Sequence, residues 1–208
     1  MTESLDVNVA LGPRSYHISV VSHQFDQFAE TLENWLNHNP AFRNTVAEGN
    51  KSALIITDRN LAALHAPKIE NSLQMRGWKW ETAVIEPGEK SKSLAVISSL
   101  YDQLVAMKAD RQTVVIAVGG GVIGDAAGFV AATYVRGLPF VQVPTSLLAH
   151  VDSSVGGKVG VNHPQAKNLI GAFYQPLGVF IDTSTLETLP ERDYRSGLAE
   201  VVKYGLIL

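Results

Sequence analysis

Val114-Val115-Ile116-Ala117-Val118 runs without a break into Gly119-Gly120-Gly121-Val122-Ile123-Gly124-Asp125. Five apolar, mostly β-branched residues predict a strand buried on both faces, and the glycines predict a tight turn that opens a helix. Without Cβ atoms, the turn lets the main chain approach a ligand closely and present its N–H groups. The positive end of the following helix favours negative charge there, so the stretch reads as a pyrophosphate site. The pattern GGGxxGD departs from the GxGxxG dinucleotide fingerprint, and a glycine turn after a strand is also simply a way to change direction. Asp125, read as lying in the first helical turn at the rim of the loop, adds a carboxylate suited to a ribose or substrate hydroxyl.

Outward from this point, short apolar runs alternate with segments of helical period. Strands are predicted at 17–21, 53–57, 82–86, 113–118, 140–143 and 179–181. Phe25, Phe28, Ala29, Leu32, Trp35 and Leu36 share one helical face, as do Leu94, Ile97, Tyr101, Leu104 and Val105, and both faces read as core. Pro67 reads as the start of a helix that stops at Gly77. The alternation predicts an α/β fold, Rossmann-like, with a largely parallel sheet covered on both sides and ligands at the carboxyl ends of its strands.

Composition narrows the partners. The 208 residues carry 46% hydrophobic and 18% charged side chains and a net charge of −3, which gives no electrostatic reason to expect nucleic acid or an anionic membrane. There is no cysteine, so any metal site must use His, Asp and Glu. Met1-Thr2-Glu3-Ser4-Leu5-Asp6 lacks the features of a signal peptide and no apolar run is long enough to span a bilayer, so the chain reads as soluble and cytoplasmic.

Three segments fall where ligands of such a sheet bind. Asp58 and Asn60 follow one predicted strand, and Pro87-Gly88-Glu89-Lys90-Ser91-Lys92 follows another; each suits the adenosine end of a dinucleotide, and each equally suits an N-cap and a solvated turn. Pro144-Thr145-Ser146 offers two hydroxyls for a nicotinamide or phosphate. Asp58 and Glu89 would repel a ribose phosphate, which predicts NAD rather than NADP. The stretch from Asp152 to Pro176 reads as a long connection whose Asp152, Lys158, Lys167 and Asn168 sit among glycines, suited to surrounding an anion or to decorating a surface loop.

The runs GGGVIGDAAGFVAATYVRG, FVQVPTSLLAHVDSSVGGKVGVN and KNLIGAFYQP, followed by LETLP and GLAEVVKYG and preceded by TDRN and PGEKSKS, resemble the 3-dehydroquinate synthase family of the shikimate pathway. The resemblance spans about residues 50 to 208. It implies an NAD-binding domain over residues 1–180 and the beginning of a mostly helical metal- and substrate-binding domain over residues 181–208. It also implies a phosphate-eliminating lyase: NAD transiently oxidises a secondary alcohol of 3-deoxy-D-arabino-heptulosonate 7-phosphate, phosphate leaves, the ketone is reduced again, and the ring closes as an aldol.

Position by position, the resemblance makes Asp58, Asn60, Glu89 and Lys92 adenosine-side contacts, and Gly120, Gly121 and Asp125 the pyrophosphate and ribose site. Thr145, Ser146, Lys158, Lys167 and Thr188 are implied as further cofactor contacts. Asp152, Lys158, Asn168, Lys203 and Arg136 are implied to meet substrate, Arg136 from across a homodimer interface. Glu200 matches a ligand of the catalytic zinc, or cobalt. The family's two histidine ligands match nothing here; of the six histidines, His17 reads as part of a strand, His23, His38 and His65 as solvated, and only His150 and His163 as near the site. The apolar ending Gly205-Leu206-Ile207-Leu208 reads as a helix cut short, so the chain is expected to be part of a longer enzyme and inactive by itself. The remaining alternatives are another NAD- and metal-dependent sugar-phosphate cyclase, a metal-dependent alcohol or glycerol dehydrogenase, or a non-catalytic NAD-binding fragment.

Overall fold

The computed structural model describes residues 4–47 and 49–207; the readings of residues 1–3 and of Leu208 above lie outside the described residues. Nine strands and six helices are described: β1 (Leu5–Val9), β2 (Tyr16–Val21), α1 (Phe28–His38), α2 (Asn44–Ala47), β3 (Ser52–Asp58), α3 (Ala66–Met75), β4 (Lys79–Ile85), α4 (Leu94–Ala106), β5 (Val114–Gly119), α5 (Gly121–Thr133), β6 (Phe140–Pro144), β7 (Lys158–His163), β8 (Ala166–Phe173), β9 (Gly178–Asp182) and α6 (Glu191–Ile207). Seven strands form one sheet in the order β1-β2-β9-β6-β5-β3-β4. Only β1 runs antiparallel to its neighbour; every other pairing is parallel. The α/β class and the parallel sheet are as the alternation of the sequence predicts.

Strand β5 is buried along its whole length. Its residues divide by the period of two: Val115 and Ala117 join the core under α4 and α5, while Val114, Ile116 and Val118 join the core under α1 and α3. Helix α1 buries Phe28, Ala29, Leu32, Trp35 and Leu36 as its apolar period requires. Helix α3 opens at Ala66-Pro67 and closes where Gly77 takes φ +73°, its N–H donating to the Gln74 carbonyl and the Trp78 N–H to the Leu73 carbonyl. Helix α4 departs from expectation: Ile97, Leu100 and Leu104 are buried, but Leu94 and Val105 are exposed. The buried stripe is narrower than the apolar one, since Leu94 opens the first turn and Val105 lies one position beyond Leu104.

The edge strand β1, the short helix α2 and the strands β7 and β8 are absent from the sequence reading. Leu5–Val9 is a strand on the sheet edge, with Leu5 and Val7 exposed. The supposed connection from Asp152 to Pro176 contains a two-stranded antiparallel sheet, β7 and β8, preceded by a π-helical turn over Ala149–Ser153. Val159 and Val161 of β7 pack against α5, where an added Cβ at Gly128 would lie 2.3 Å from Val159 Cγ1. Glycine, lysine and asparagine weaken the strand signal, but Gly160 opposite Gly171 lets the two backbones meet closely.

The helical layer under α1 and α3 is fastened by one buried carboxylate. Glu33, 5% exposed, accepts hydrogen bonds from Lys51 Nζ at 2.8 Å, Trp78 Nε1 at 3.1 Å and Arg76 Nη2 at 2.5 Å. Burial pushes its pKa up, and the bonds from Arg76, Lys51 and Trp78 together push it further down, below the ordinary 4.5. This stabilisation is therefore fully present above about pH 4.5 and is lost as pH falls through the lower folded value. We predict that Glu33→Ala costs about 3–5 kcal/mol in urea unfolding at pH 7, the usual penalty for breaking a buried pair, and that the cost shrinks in acid. A change under 1 kcal/mol at pH 7 would contradict this.

Candidate functional site

The chain passes from β3 out to the edge strand β4 and then returns across β3 to β5, so the direction of winding reverses between β3 and β5. The carboxyl ends of these two strands flank a crevice of the kind in which open α/β sheets bind ligands. Asp58 ends β3 and Gly119 ends β5, which brings two of the predicted segments to this point. Gly120 caps α5, and the thirteen residues of that helix aim its first N–H groups at the crevice. A Cβ at Gly121 would come within 3.0 Å of Ser153 Oγ, and that buried oxygen has no hydrogen-bond partner. The close packing here and the orphaned hydroxyl fit a pyrophosphate seated against the main chain. Thr145 and Ser146 stand beside the same turn: the Thr145 N–H donates to the Gly119 carbonyl at 3.1 Å, and Ser146 Oγ lies 3.5 Å from the position of a Gly120 Cβ. Asp125 is the fifth residue of α5, one place beyond the first turn expected for it.

Asp58 closes a turn: its Oδ1 accepts the N–H groups of Asn60 at 2.8 Å and Leu61 at 3.1 Å. Asn60 is exposed beside it.

A second group gathers around one buried ammonium. Lys92 is 4% exposed, with Nζ 2.6 Å from Asp125 Oδ2, 2.6 Å from Asn168 Oδ1 and 3.6 Å from Glu89 Oε1. Asn162, which the sequence reading passed over, completes the network. Its Nδ2 donates to Glu89 Oε1 at 2.8 Å, its N–H donates to the Lys92 carbonyl at 2.8 Å, and its Oδ1 accepts the Asn168 N–H at 2.8 Å. The bond from Asn162 holds the Glu89 carboxyl below its usual range, whereas burial raises that of Asp125 against the pull of Lys92. Lys167 borders the same groove as Glu89 and Lys92.

Asp125, Asp152, Lys158 and Asn168 meet around a cleft of about 560 Å³ between α5, the π-helical turn and the hairpin. Helix α6 reaches this cleft through Tyr204, whose hydroxyl donates to Asp152 Oδ1 at 3.3 Å. On α6, Lys203 pairs with Glu200. The helix is seated where Gly197 meets Leu147 and Leu148, while Leu198, Val201, Val202, Leu206 and Ile207 are exposed. Among the described residues no three His, Asp or Glu side chains are placed to hold a metal ion, so the residues present do not by themselves fit a catalytic zinc site. Arg136 stands apart, exposed past the far end of α5, about 20 Å along that helix from Gly120.

Two histidines differ from expectation. His150, suspected of a site role, is buried, its Nε2 3.0 Å from the Pro144 carbonyl oxygen and 3.2 Å from Thr185 Oγ1. His65, expected in solvent, is 1% exposed, stacked on Phe25 at 6.5 Å, with Nε2 3.1 Å from Thr188 Oγ1. Thr188 is thereby tied to His65 and to the Thr185 carbonyl, and makes no bond to the residues around Lys92. Burial lowers the His65 pKa to about 4. Its contribution to stability is therefore fully present above pH 6.5 and lost progressively as pH falls toward about 4. An NMR titration should find His65 neutral at pH 5.5, and His65→Gln should flatten the loss of stability between pH 6.5 and 4; a ring titrating near 6.5 would contradict this.

With this geometry in view, the relatives are informative. The 3-dehydroquinate synthase N-terminal family matches residues 82–196. The 3-dehydroquinate synthase of Desulforamulus reducens is 52% identical over 201 residues, covering 97% of this chain and 53% of its own. Among solved structures, 2-deoxy-scyllo-inosose synthase complexed with carbaglucose-6-phosphate, NAD+ and Co2+ superposes with a TM-score of 0.83 at 26% identity, covering 96% of this chain and 50% of that one. The 2-epi-5-epi-valiolone synthase of Streptomyces hygroscopicus subsp. jinggangensis 5008, with NAD+ and Zn2+ bound, gives 0.75 at 29% identity over 94% and 50% of the two chains. The chain thus spans about half the length of the relatives it matches. The likeness runs over nearly all of this chain's own length, and the chain belongs to the 3-dehydroquinate synthase family.

Proposed function

We propose that this chain carries the cofactor- and phosphate-binding part of an enzyme that converts 3-deoxy-D-arabino-heptulosonate 7-phosphate to 3-dehydroquinate and phosphate, a carbon–oxygen lyase of the cytoplasm. The observation that carries the reading is the adjacency of the α5 N-terminus to the cleft lined by Asp125, Asp152, Lys158 and Asn168. When bound, NAD would supply the hydride acceptor and, once reduced, the hydride donor. Gly120, Gly121, Thr145 and Ser146 would hold its pyrophosphate and nicotinamide side, and Asp58, Asn60, Glu89 and Lys167 its adenosine side. Thr188, Lys158 and Lys92 complete the proposed cofactor contacts.

The chain's own part in the reaction is positioning and charge. Lys158 and Asn168 would donate to the phosphate oxygens as negative charge builds on them during C–O cleavage. Asp152, held by Tyr204, and Lys203 would orient the sugar acid at the mouth of the cleft. Glu200 would contribute one ligand to a zinc or cobalt ion. A single carboxylate does not supply the three protein ligands of a catalytic zinc, so residues 1–208 alone are expected to hold metal weakly and to form no dehydroquinate. Arg136, exposed and about 20 Å along α5 from Gly120, would serve the active site of a second copy in a homodimer. Residues 1–180 are proposed as the NAD-binding domain and 181–208 as the start of the helical one, with β9 carrying the sheet two residues past that boundary, to Asp182.

The reading is tested at Lys158. In catalytically active protein, Lys158→Ala should lower turnover by about a hundredfold more than it lowers NAD affinity measured by calorimetry. Unchanged turnover would remove Lys158 from the site, and equal losses in both quantities would make it a cofactor contact only.

A further inference from the structure

Lys92 is almost wholly buried, 4% exposed, at the edge of the groove that Glu89 and Lys167 border. Its ammonium has three protons and no acceptor capacity, and two of the oxygens it meets lie at 2.6 Å, on Asp125 and on Asn168. Because a lysine cannot accept, the Asn168 atom facing it must be the amide oxygen, and the Asn168 NH2 must point elsewhere. Asn168 has little freedom to turn over. Its backbone is in the left-handed region at φ +56°, and its N–H is committed to Asn162 Oδ1. Asn162 is pinned in turn by the Lys92 carbonyl and by Glu89. Asn168 is nonetheless exposed and borders the 560 Å³ cleft. The charge of Lys92 is cancelled locally by Asp125, so the ammonium acts on Asn168 without adding a cation to the cleft, where Lys158 already supplies one.

We propose that Lys92 is a positioning residue that occupies the amide oxygen of Asn168, so that Asn168 offers the cleft N–H donors only and seats an anionic oxygen of the bound sugar acid phosphate. This rests on the substrate reading given above. A direct adenosine contact remains open to Lys92 beside this role, because its third proton, with Glu89 Oε1 3.6 Å away, is not taken by Asp125 or Asn168. The part of the molecule that sets the polarity of the anion site is thereby the loop before α4, more than 70 residues away in sequence from the hairpin that carries Asn168.

The test is a double-mutant cycle on the binding of inorganic phosphate, read by NMR through the side-chain amide of Asn168 in 15N-labelled protein. Lys92→Met alone strands the Asp125 carboxylate and can unfold the protein, so it is combined with Asp125→Asn; thermal melting confirms folding, and Asp125→Asn alone is the control. Lys92→Met/Asp125→Asn and Asn168→Ala should each weaken phosphate binding by about tenfold, and all three changes together should weaken it no more than Asn168→Ala alone. The Asn168 Nδ2–H signals should move on adding phosphate to the unmodified protein, and should move without phosphate in the folded Lys92→Met/Asp125→Asn variant. Unmoved signals in that variant, or losses that add in the triple variant, would overturn the proposal. An unmodified protein that binds no phosphate, while its Asn168 signals respond to loss of Lys92, would overturn the anionic ligand and the substrate reading and uphold the side-chain tie alone.

Discussion

A methyl group added at Gly128 would lie 2.3 Å from the Val159 side chain, so the distance between α5 and the hairpin is set by the absence of a single carbon. That closeness governs the binding edge. Helix α5 starts at the end of the wholly buried β5, and its glycine-bearing face lets β7 lie against it. With the hairpin in place, Asn162 and Asn168 reach the loop before α4, and the cleft acquires its hairpin wall. With a larger residue at position 128 the hairpin would have to lift, and the bonds to Lys92 and Glu89 would lengthen together.

The buried charges obey one rule, in that each joins segments distant in sequence. Glu33 ties α1 to the start of β3 and the end of α3; Asp182, fully buried, accepts the N–H groups of His23 at 2.9 Å and Gln24 at 2.7 Å and that of Ser184 at 2.9 Å; Lys92 ties the loop before α4 to α5 and to the hairpin. A buried ion is tolerated only when its hydrogen bonds are complete, so each of these groups specifies one arrangement of its partners. Two of the three lie at the carboxyl edge of the sheet, where the candidate site is.

Much of this was legible in the sequence because it is local. The strand at β5, the glycine turn, the amphipathic period of α1 and the Pro67–Gly77 bounds of α3 each depend on neighbours within one or two turns. What escaped depends on residues brought from afar. His65 reads as solvated, yet Phe25 stacks on its ring and Thr188 bonds its Nε2. Pro87–Lys92 has the composition of a surface turn, and only the hairpin, itself masked by glycines, buries its lysine. Leu94 and Val105 satisfy the helical period of α4 but flank its buried stripe, since a period does not fix the width of the contact. The proposed binding residues were read chiefly from the long motifs that carry the family resemblance, whereas Asn162, within those motifs, shows its contacts only in the network around Lys92.

The central claim is that the N-terminus of α5 at the β3–β5 crevice is where a dinucleotide pyrophosphate binds. Adding NAD to 15N-labelled protein and following the backbone amide resonances tests it directly. The account predicts the largest shifts at Gly120–Gly124 and at Thr145 and Ser146, with smaller ones at Asp58–Leu61 and none along α1. Saturable binding with its largest shifts away from the first turn of α5 would contradict it.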